Sequence, residues 1–248
     1  MKCKHTIWLY ALAIVTIIGV SVSACDNDTD AHTHEWKWVL TTVPTEIRDG
    51  KETKTCTTCG KKGKTRMRLP YTIGETGPAG GTIFYVGWFS LSSIEDGTYY
   101  GKACYYLEAA PVNEIDAIWG FTSSTPPSET YCNKESDDRI GNGHRNTQLL
   151  VNFYNEVFLD FIVEYKYAAQ LCADANYGGY SDWFLPSISE LNELGKLRGQ
   201  YGIPNAEFLW SSSYYSRPRY AWGVNFDNGT SDDCNWEEKK SVRAVRAF

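Results

Sequence analysis

The chain has 248 residues, 42% of them hydrophobic and 15% aromatic, which is enough for an ordinary globular core and too mixed for a fibrous or low-complexity protein. Its 24 Lys and Arg against 30 Asp and Glu leave a formal charge of −6, which excludes a broad basic footprint for nucleic acid. The charge is uneven: residues 25–70 hold nine basic against seven acidic side chains, and residues 71–248 hold thirteen against twenty-three. The larger part is an acidic body, which also disfavours polyanions such as sulfated glycans.

The chain opens with Lys2 and Lys4, then an apolar run of 14 residues from Ile7 to Val20, too short for a membrane span. Val22-Ser23-Ala24-Cys25 follows. This order resembles a bacterial lipoprotein signal, which implies cleavage before Cys25 and acylation of that residue. An ordinary secretory signal with an incidental cysteine is the alternative. On the lipoprotein reading, residues 1–24 are removed and the mature chain is exported and lipid-anchored to the cell envelope, at the outer membrane or cell surface. Acyl chains on one cysteine anchor firmly, because each buried methylene contributes about 0.8 kcal/mol. Membrane contact is through that anchor only.

Residues 25–31 are short, polar and acidic and read as a tether. Residues 32–70 read as a small separate β-rich unit. Alternation through Trp36-Lys37-Trp38-Val39-Leu40, the Asp49-Gly50 turn signal and Lys51 to Cys56 predict a β-hairpin. Cys56-Thr57-Thr58-Cys59-Gly60 has zinc-knuckle spacing: two thiolates on one tight turn, with Gly relieving the backbone. His32 and His34 approach from the first strand, so His32, His34, Cys56 and Cys59 are the candidate ligands of a structural zinc. The segment resembles short bacterial surface repeats with an early His-x-Trp, a Pro-Thr-Cys and a terminal Thr-Cys-x-x-Cys-Gly. Glu46 stands where the repeat has its middle Cys, so the fourth ligand falls to His32 or Glu46. A Cys56–Cys59 disulfide remains open as the alternative.

From Tyr71 the composition changes. A Gly/Pro loop, residues 74–81, feeds a strand over residues 82–86, and residues 105–107 form another. Residues 123–138 read as a long surface loop. Residues 147–174 carry Leu150, Phe153, Val157, Phe161, Tyr165, Ala168 and Leu171 at helical spacing, predicting one long helix or two with a break. Ser187-Ile188-Ser189-Glu190 is a capping box opening a second helix to about Leu197. Residues 209–212, 221–226 and 242–248 read as strands, with Asp227-Asn228-Gly229 as a turn. Two main helices among short antiparallel strands make the fold class α+β. Cys104, Cys132, Cys172 and Cys234 allow three disulfide pairings, and the spacing chooses none of them.

Several short motifs then fall in a recognisable order: Ile73-Gly74-Glu75-Thr76-Gly77-Pro78-Ala79-Gly80-Gly81, Tyr106-Leu107-Glu108-Ala109-Ala110-Pro111, Gly179-Tyr180-Ser181-Asp182-Trp183-Phe184-Leu185-Pro186-Ser187, Trp210-Ser211-Ser212-Ser213 and Val242 to Phe248. In this order residues 71–248 resemble the Lcl (legionella collagen-like protein) C-terminal domain family. The resemblance implies a C-type-lectin-like α+β domain and a binding role. It implies no reaction.

The ligand face is expected in two C-terminal stretches. Tyr214, Tyr215, Arg217, Arg219 and Tyr220 lie in one, and Asn228, Asp232, Asn235 and Trp236 in the other. Rigid amphipathic rings among small polar groups suit a glycan or a protein surface. The same stretch resembles the variable segments of retroelement-diversified lectin-fold receptors. The acids around residues 232–238 offer oxygen ligands, but no spaced calcium loop exists, and a solvated acidic loop is the preferred reading. Enzyme motifs are absent: there is no G-x-S-x-G, phosphate loop or His-Glu-x-x-His, and His144 has no partner nucleophile. The sequence therefore points to an adhesin-like binding module. A structural envelope protein without a soluble ligand is the competing class.

Overall fold

The computed structural model describes residues 32–42, 50–95, 98–120, 138–157, 167–215 and 219–248. They divide into two compact units, one ending at Pro70 and one spanning Tyr71–Phe248.

The first unit is a three-stranded antiparallel sheet of β1 (Trp36–Thr42), β2 (Gly50–Cys56) and β3 (Lys62–Arg68), in the order β1-β2-β3. β2 begins at the glycine of the Asp-Gly signal, and its register pairs Trp36 with Cys56 and Leu40 with Glu52. β3 was not foreseen, because all seven of its residues are exposed and nothing alternates. Charge holds it: Glu52 accepts from Arg66 Nε at 2.8 Å and from Arg68 Nη1 at 3.0 Å, and the Arg66 guanidinium lies 4.1 Å from the Trp38 ring centre. Those two arginines hold the Glu52 carboxyl below its usual range.

The second unit is mixed, mostly strand with few helices, consistent with α+β. A long hairpin of β4 (Thr82–Glu95) and β5 (Thr98–Ala109) takes β11 (Val245–Ala247) along its β5 edge, giving the order β11-β5-β4. A second sheet runs β6 (Glu114–Ala117), β10 (Lys240–Val242), β7 (Phe208–Tyr214), β8 (Tyr220–Asn225), β9 (Thr230–Asn235). Only the β10–β7 pairing in it is parallel. The helices are α1 (Gly143–Val157), α2 (Ala168–Ala173) and α3 (Ile188–Gly195).

Successive strand residues face opposite sides, so the second sheet buries both faces. Trp210 and Ala221 enter one apolar cluster with Trp119, Tyr154, Tyr167 and Leu185. Their neighbours Leu209 and Val224 enter another with Phe84, Leu107, Leu191 and Phe226. Each fully buried large apolar side chain contributes roughly 1.5–3 kcal/mol.

The quoted motifs now have physical reasons. Glu108, fully buried on β5, accepts from the backbone N–H of Ala79 at 3.0 Å and of Gly81 at 2.8 Å, which closes the glycine loop over it. A Cβ on Gly81 would meet the Ala109 carbonyl oxygen at 2.0 Å, and one on Gly77 the Glu108 carboxyl carbon at 2.5 Å, so neither position admits a side chain. The serines after Trp210 are buried connectors. Ser211 Oγ donates to Trp222 O at 2.7 Å, Ser213 Oγ accepts from Ile188 N at 3.0 Å, and Ser212 N donates to Pro186 O at 2.7 Å. The capping box is present: Ser187 Oγ accepts from Glu190 N at 3.3 Å and Glu190 Oε2 from Ser187 N at 2.7 Å.

Three expectations change. α1 starts at Gly143, before residue 147, because Asn146 and Thr147 are buried polar residues that interrupt the apolar periodicity. Thr147 Oγ1 donates to Gly143 O at 2.8 Å and accepts from Leu185 N at 2.9 Å. The predicted C-terminal strand is two strands in different sheets. The chain crosses at Arg243, which donates to Asn113 Oδ1 at 2.8 Å and Gly202 O at 3.1 Å. Residues 230–235, expected as a loop, form edge strand β9; polar and acidic side chains suit an edge exposed to water. Residues 121–137, most of the expected surface loop, lie outside the described residues, as do residues 158–166 between α1 and α2.

Candidate functional site

Pairing Trp36 with Cys56 sets the residues preceding β1 beside the end of β2. The turn after Cys56 closes through Gly60 N to Cys56 O at 3.0 Å, with Gly60 at φ 71°, and Cys56 N donates to Lys61 O at 2.9 Å. Cys59 is thereby brought round to the same side. Cys56 Sγ lies 3.5 Å from His32 Nε2, and Cys59 Sγ lies 3.5 Å from His34 Nδ1. The four ligand atoms all fall within 4.8 Å of one another. The imidazoles meet edge to face at 4.7 Å, and His34 packs on Trp36 at 5.2 Å. The backbone N–H of Cys59, followed by His34 and His32, pulls the Cys56 thiol well below its ordinary range, which favours the thiolate. His32 stands with His34, Cys56 and Cys59 in this cluster; Glu46, the other candidate for a fourth ligand, lies outside the described residues.

The C-terminal residues separate. Tyr220 pairs with Asn235 and Trp222 with Asp233 across β8 and β9, so these four side chains share one face of the sheet. Tyr215 meets the Trp222 ring edge to face at 4.7 Å. Arg219 is exposed at φ 66°, and its carbonyl accepts from Trp236 N at 3.0 Å. Tyr214 is half-buried against the first cluster. Asn228 and Asn235 are turn-makers: Asn228 Oδ1 accepts from Thr230 N at 2.9 Å and Asn235 Oδ1 from Glu237 N at 3.0 Å. Asp232 is exposed, and its Oδ1 accepts from Asp233 N at 2.9 Å. Arg217 lies outside the described residues, as does Cys25.

Trp236 does not belong to this face. It is 1% exposed and stacks on Trp119, with ring centres 6.0 Å apart and planes within 1°. The chain turns inward at the end of β9, and Trp236 O receives Trp119 N at 2.7 Å. Trp222 was missed as a face residue. The period-2 pattern Tyr220-x-Trp222, matched by Asp233-x-Asn235 on β9, was the signal for it, hidden because residues 230–235 were read as loop.

A second concave region was also missed. Two clefts of about 290 and 330 Å³ share His144 and Asp182. Ser93, Tyr100 and Lys102 line the first, and Gln148, Asn152 and Trp183 the second. Asp182 is committed to Arg246, with Nε–Oδ1 at 2.9 Å and Nη2–Oδ2 at 3.2 Å, and Arg246 reaches on to Glu108 at 3.2 Å. His144 packs edge to face on Phe184 at 5.5 Å. Cys104 is buried in the second cluster, while Cys172 and Cys234 pack in or against the first; Cys132 lies outside the described residues.

Residues 144–246 match the Lcl C-terminal domain family. No curated relative matches the chain. The Lcl match runs from α1 into β11, and so includes the capping box, the buried serines, the β8–β9 face and the cleft pair His144 and Asp182. It leaves out the β4–β5 hairpin, although that hairpin packs in the same unit and receives β11.

Proposed function

We propose that this protein is an exported envelope lipoprotein, anchored through Cys25, whose second unit is a non-enzymatic binding module of lectin-like type. Its ligand is a glycan, held on the β8–β9 face by Tyr215, Arg219, Tyr220, Trp222, Asp233 and Asn235. The observation that carries the reading is the β8–β9 register, which gathers two aromatic rings, a carboxylate and an amide on one sheet face. Rings that stack on a sugar and oxygens that take its hydroxyls are the chemistry of glycan recognition. The Lcl match supports a surface-associated domain. In the clefts, the Asp182 carboxylate is held by Arg246, which favours binding over proton transfer there.

The test is a glycan array with the full mature chain, beside a Tyr215→Ala/Tyr220→Ala double variant. The expected result is a glycan signal lost in the variant with the melting temperature nearly unchanged. Equal binding by both chains overturns the face. A wild-type chain that takes no glycan but captures one defined protein moves the ligand to the protein class. No ligand of either kind leaves the structural envelope role. For the anchor, Cys25→Ala should move the protein from the membrane to the soluble fraction; an unchanged distribution refutes lipidation.

A further inference from the structure

Among the described residues of the first unit only Gly50, Glu52, Thr53 and Cys56 are buried, and none of them carries a large apolar side chain. Every residue of β3 is exposed, and β1 is exposed at all but Trp38. At about 40 residues, a domain ordinarily needs disulfides, metal or oligomerisation to hold together. Among the described residues, the His/Cys quartet gathers four metal-ligating side chains at one end of the sheet.

The quartet has the dimensions of a metal site. With Zn–S near 2.3 Å and Zn–N near 2.05 Å, a tetrahedron has S···N edges of about 3.6 Å. Two of the four sulfur–nitrogen separations are 3.5 Å, and all four ligand atoms lie within 4.8 Å of one another. Cys56 interacts with both imidazoles and Cys59 Sγ lies against His34 Nδ1, so the two sulfurs and the two rings converge on one centre. A tetrahedral set of two sulfurs and two nitrogens favours zinc over harder or square-planar ions. Four protein ligands leave no open position, which makes the site structural.

We propose that His32 Nε2, His34 Nδ1, Cys56 Sγ and Cys59 Sγ hold one zinc ion, and that this ion is the folding determinant of the first unit. The metal ties the segment before β1 to the β2–β3 turn, closing the sheet at one end. On loading, Zn²⁺ takes the place of any thiol protons, which pass to solvent, and no electron moves. The unit is thus folded with metal and unfolded without it, while the Tyr71–Phe248 unit keeps its own core.

The test uses the full mature chain prepared without chelator. Elemental analysis should find one zinc per chain. Exchange with Co²⁺ should give thiolate-to-cobalt charge transfer and the strong visible bands of tetrahedral cobalt. A strong chelator should open the first unit to protease while the second stays resistant and keeps any glycan binding. Cys59→Ser should reduce zinc to background, and Glu35→Gln, which touches no ligand atom of the quartet, should retain it. Wild-type protein with no zinc and no cobalt spectrum overturns the proposal, as does a Cys56–Cys59 disulfide seen as the loss of two hydrogen masses. Unchanged protease resistance after complete zinc removal overturns the folding role. None of these outcomes depends on the glycan reading.

Discussion

The two units solve the same problem by opposite means. The first has three strands, a mostly exposed surface among its described residues, charge pairs across the sheet and a His/Cys cluster at one end. The second buries Trp119, Trp210 and Trp236 fully and fastens its loops with buried serine, threonine and glutamate side chains. The same residue types therefore carry different weight in each. Trp38 in the sheet of the first unit is a platform for Arg66, whereas Trp119, Trp210 and Trp236 in the second are core.

That contrast breaks most sharply at tryptophan. Trp236→Ala should cost about 3–5 kcal/mol, the usual range for emptying a buried aromatic site. Trp36, 40% exposed, should cost far less when replaced by Ala. Urea denaturation of the second unit, read separately from the first, decides it. A small loss at Trp236 would return that residue to the ligand face.

Arginine is the next test. Arg246 lies buried between Glu108 and Asp182, so Arg246→Ala strands a fully buried carboxylate and should cost about 3–5 kcal/mol. Arg68→Ala breaks a pair whose arginine side chain is 44% exposed and should cost below about 1 kcal/mol. Equal losses in equilibrium unfolding would remove the distinction between the units.

A third test is pH. Glu190 is buried in the second unit, and burial pushes its carboxyl from 4.5 up to about 7, against the N–H groups of Ser187, Gly141 and Gly143. The folded state thus keeps a proton that the unfolded chain releases. Stability should fall as pH rises from about 4.5 to about 7 and level off beyond. Asp138 is raised by burial too and adds the same sign, so Glu190→Gln should shrink the slope without abolishing it. A wild-type profile flat across that window contradicts the assignment. The smallest effect is expected at Ser187→Ala, about 1 kcal/mol for a lost helix cap, measured by the same denaturation.

The sequence was most legible where one local interaction decides the outcome. The Asp49-Gly50 signal marked where β2 begins, and Ser187 with Glu190 marked the start of α3. The Cys56 to Cys59 spacing, with His32 and His34 upstream, marked a cluster that the fold brings together. It was least legible where tertiary context decides. β3 and β9 carry no apolar alternation, because one is exposed throughout and the other is a polar edge. The start of α1 was masked by the buried Asn146 and Thr147. Trp236 read as a ligand residue, since polar neighbours on either side give no sign that the chain turns into the core there. On the candidate face, Trp222 emerged only from the strand register, which pairs it with Asp233.

β10 and β11 have a consequence for vulnerability. These few residues near the C-terminus pair with β6 and β7 in one sheet and with β5 in the other. Phe248 O also receives both Tyr105 N and Tyr106 N. Neither sheet of the second unit is complete without this segment, so damage to the short stretch from Lys240 to Ala247 would unfasten both sheets at once.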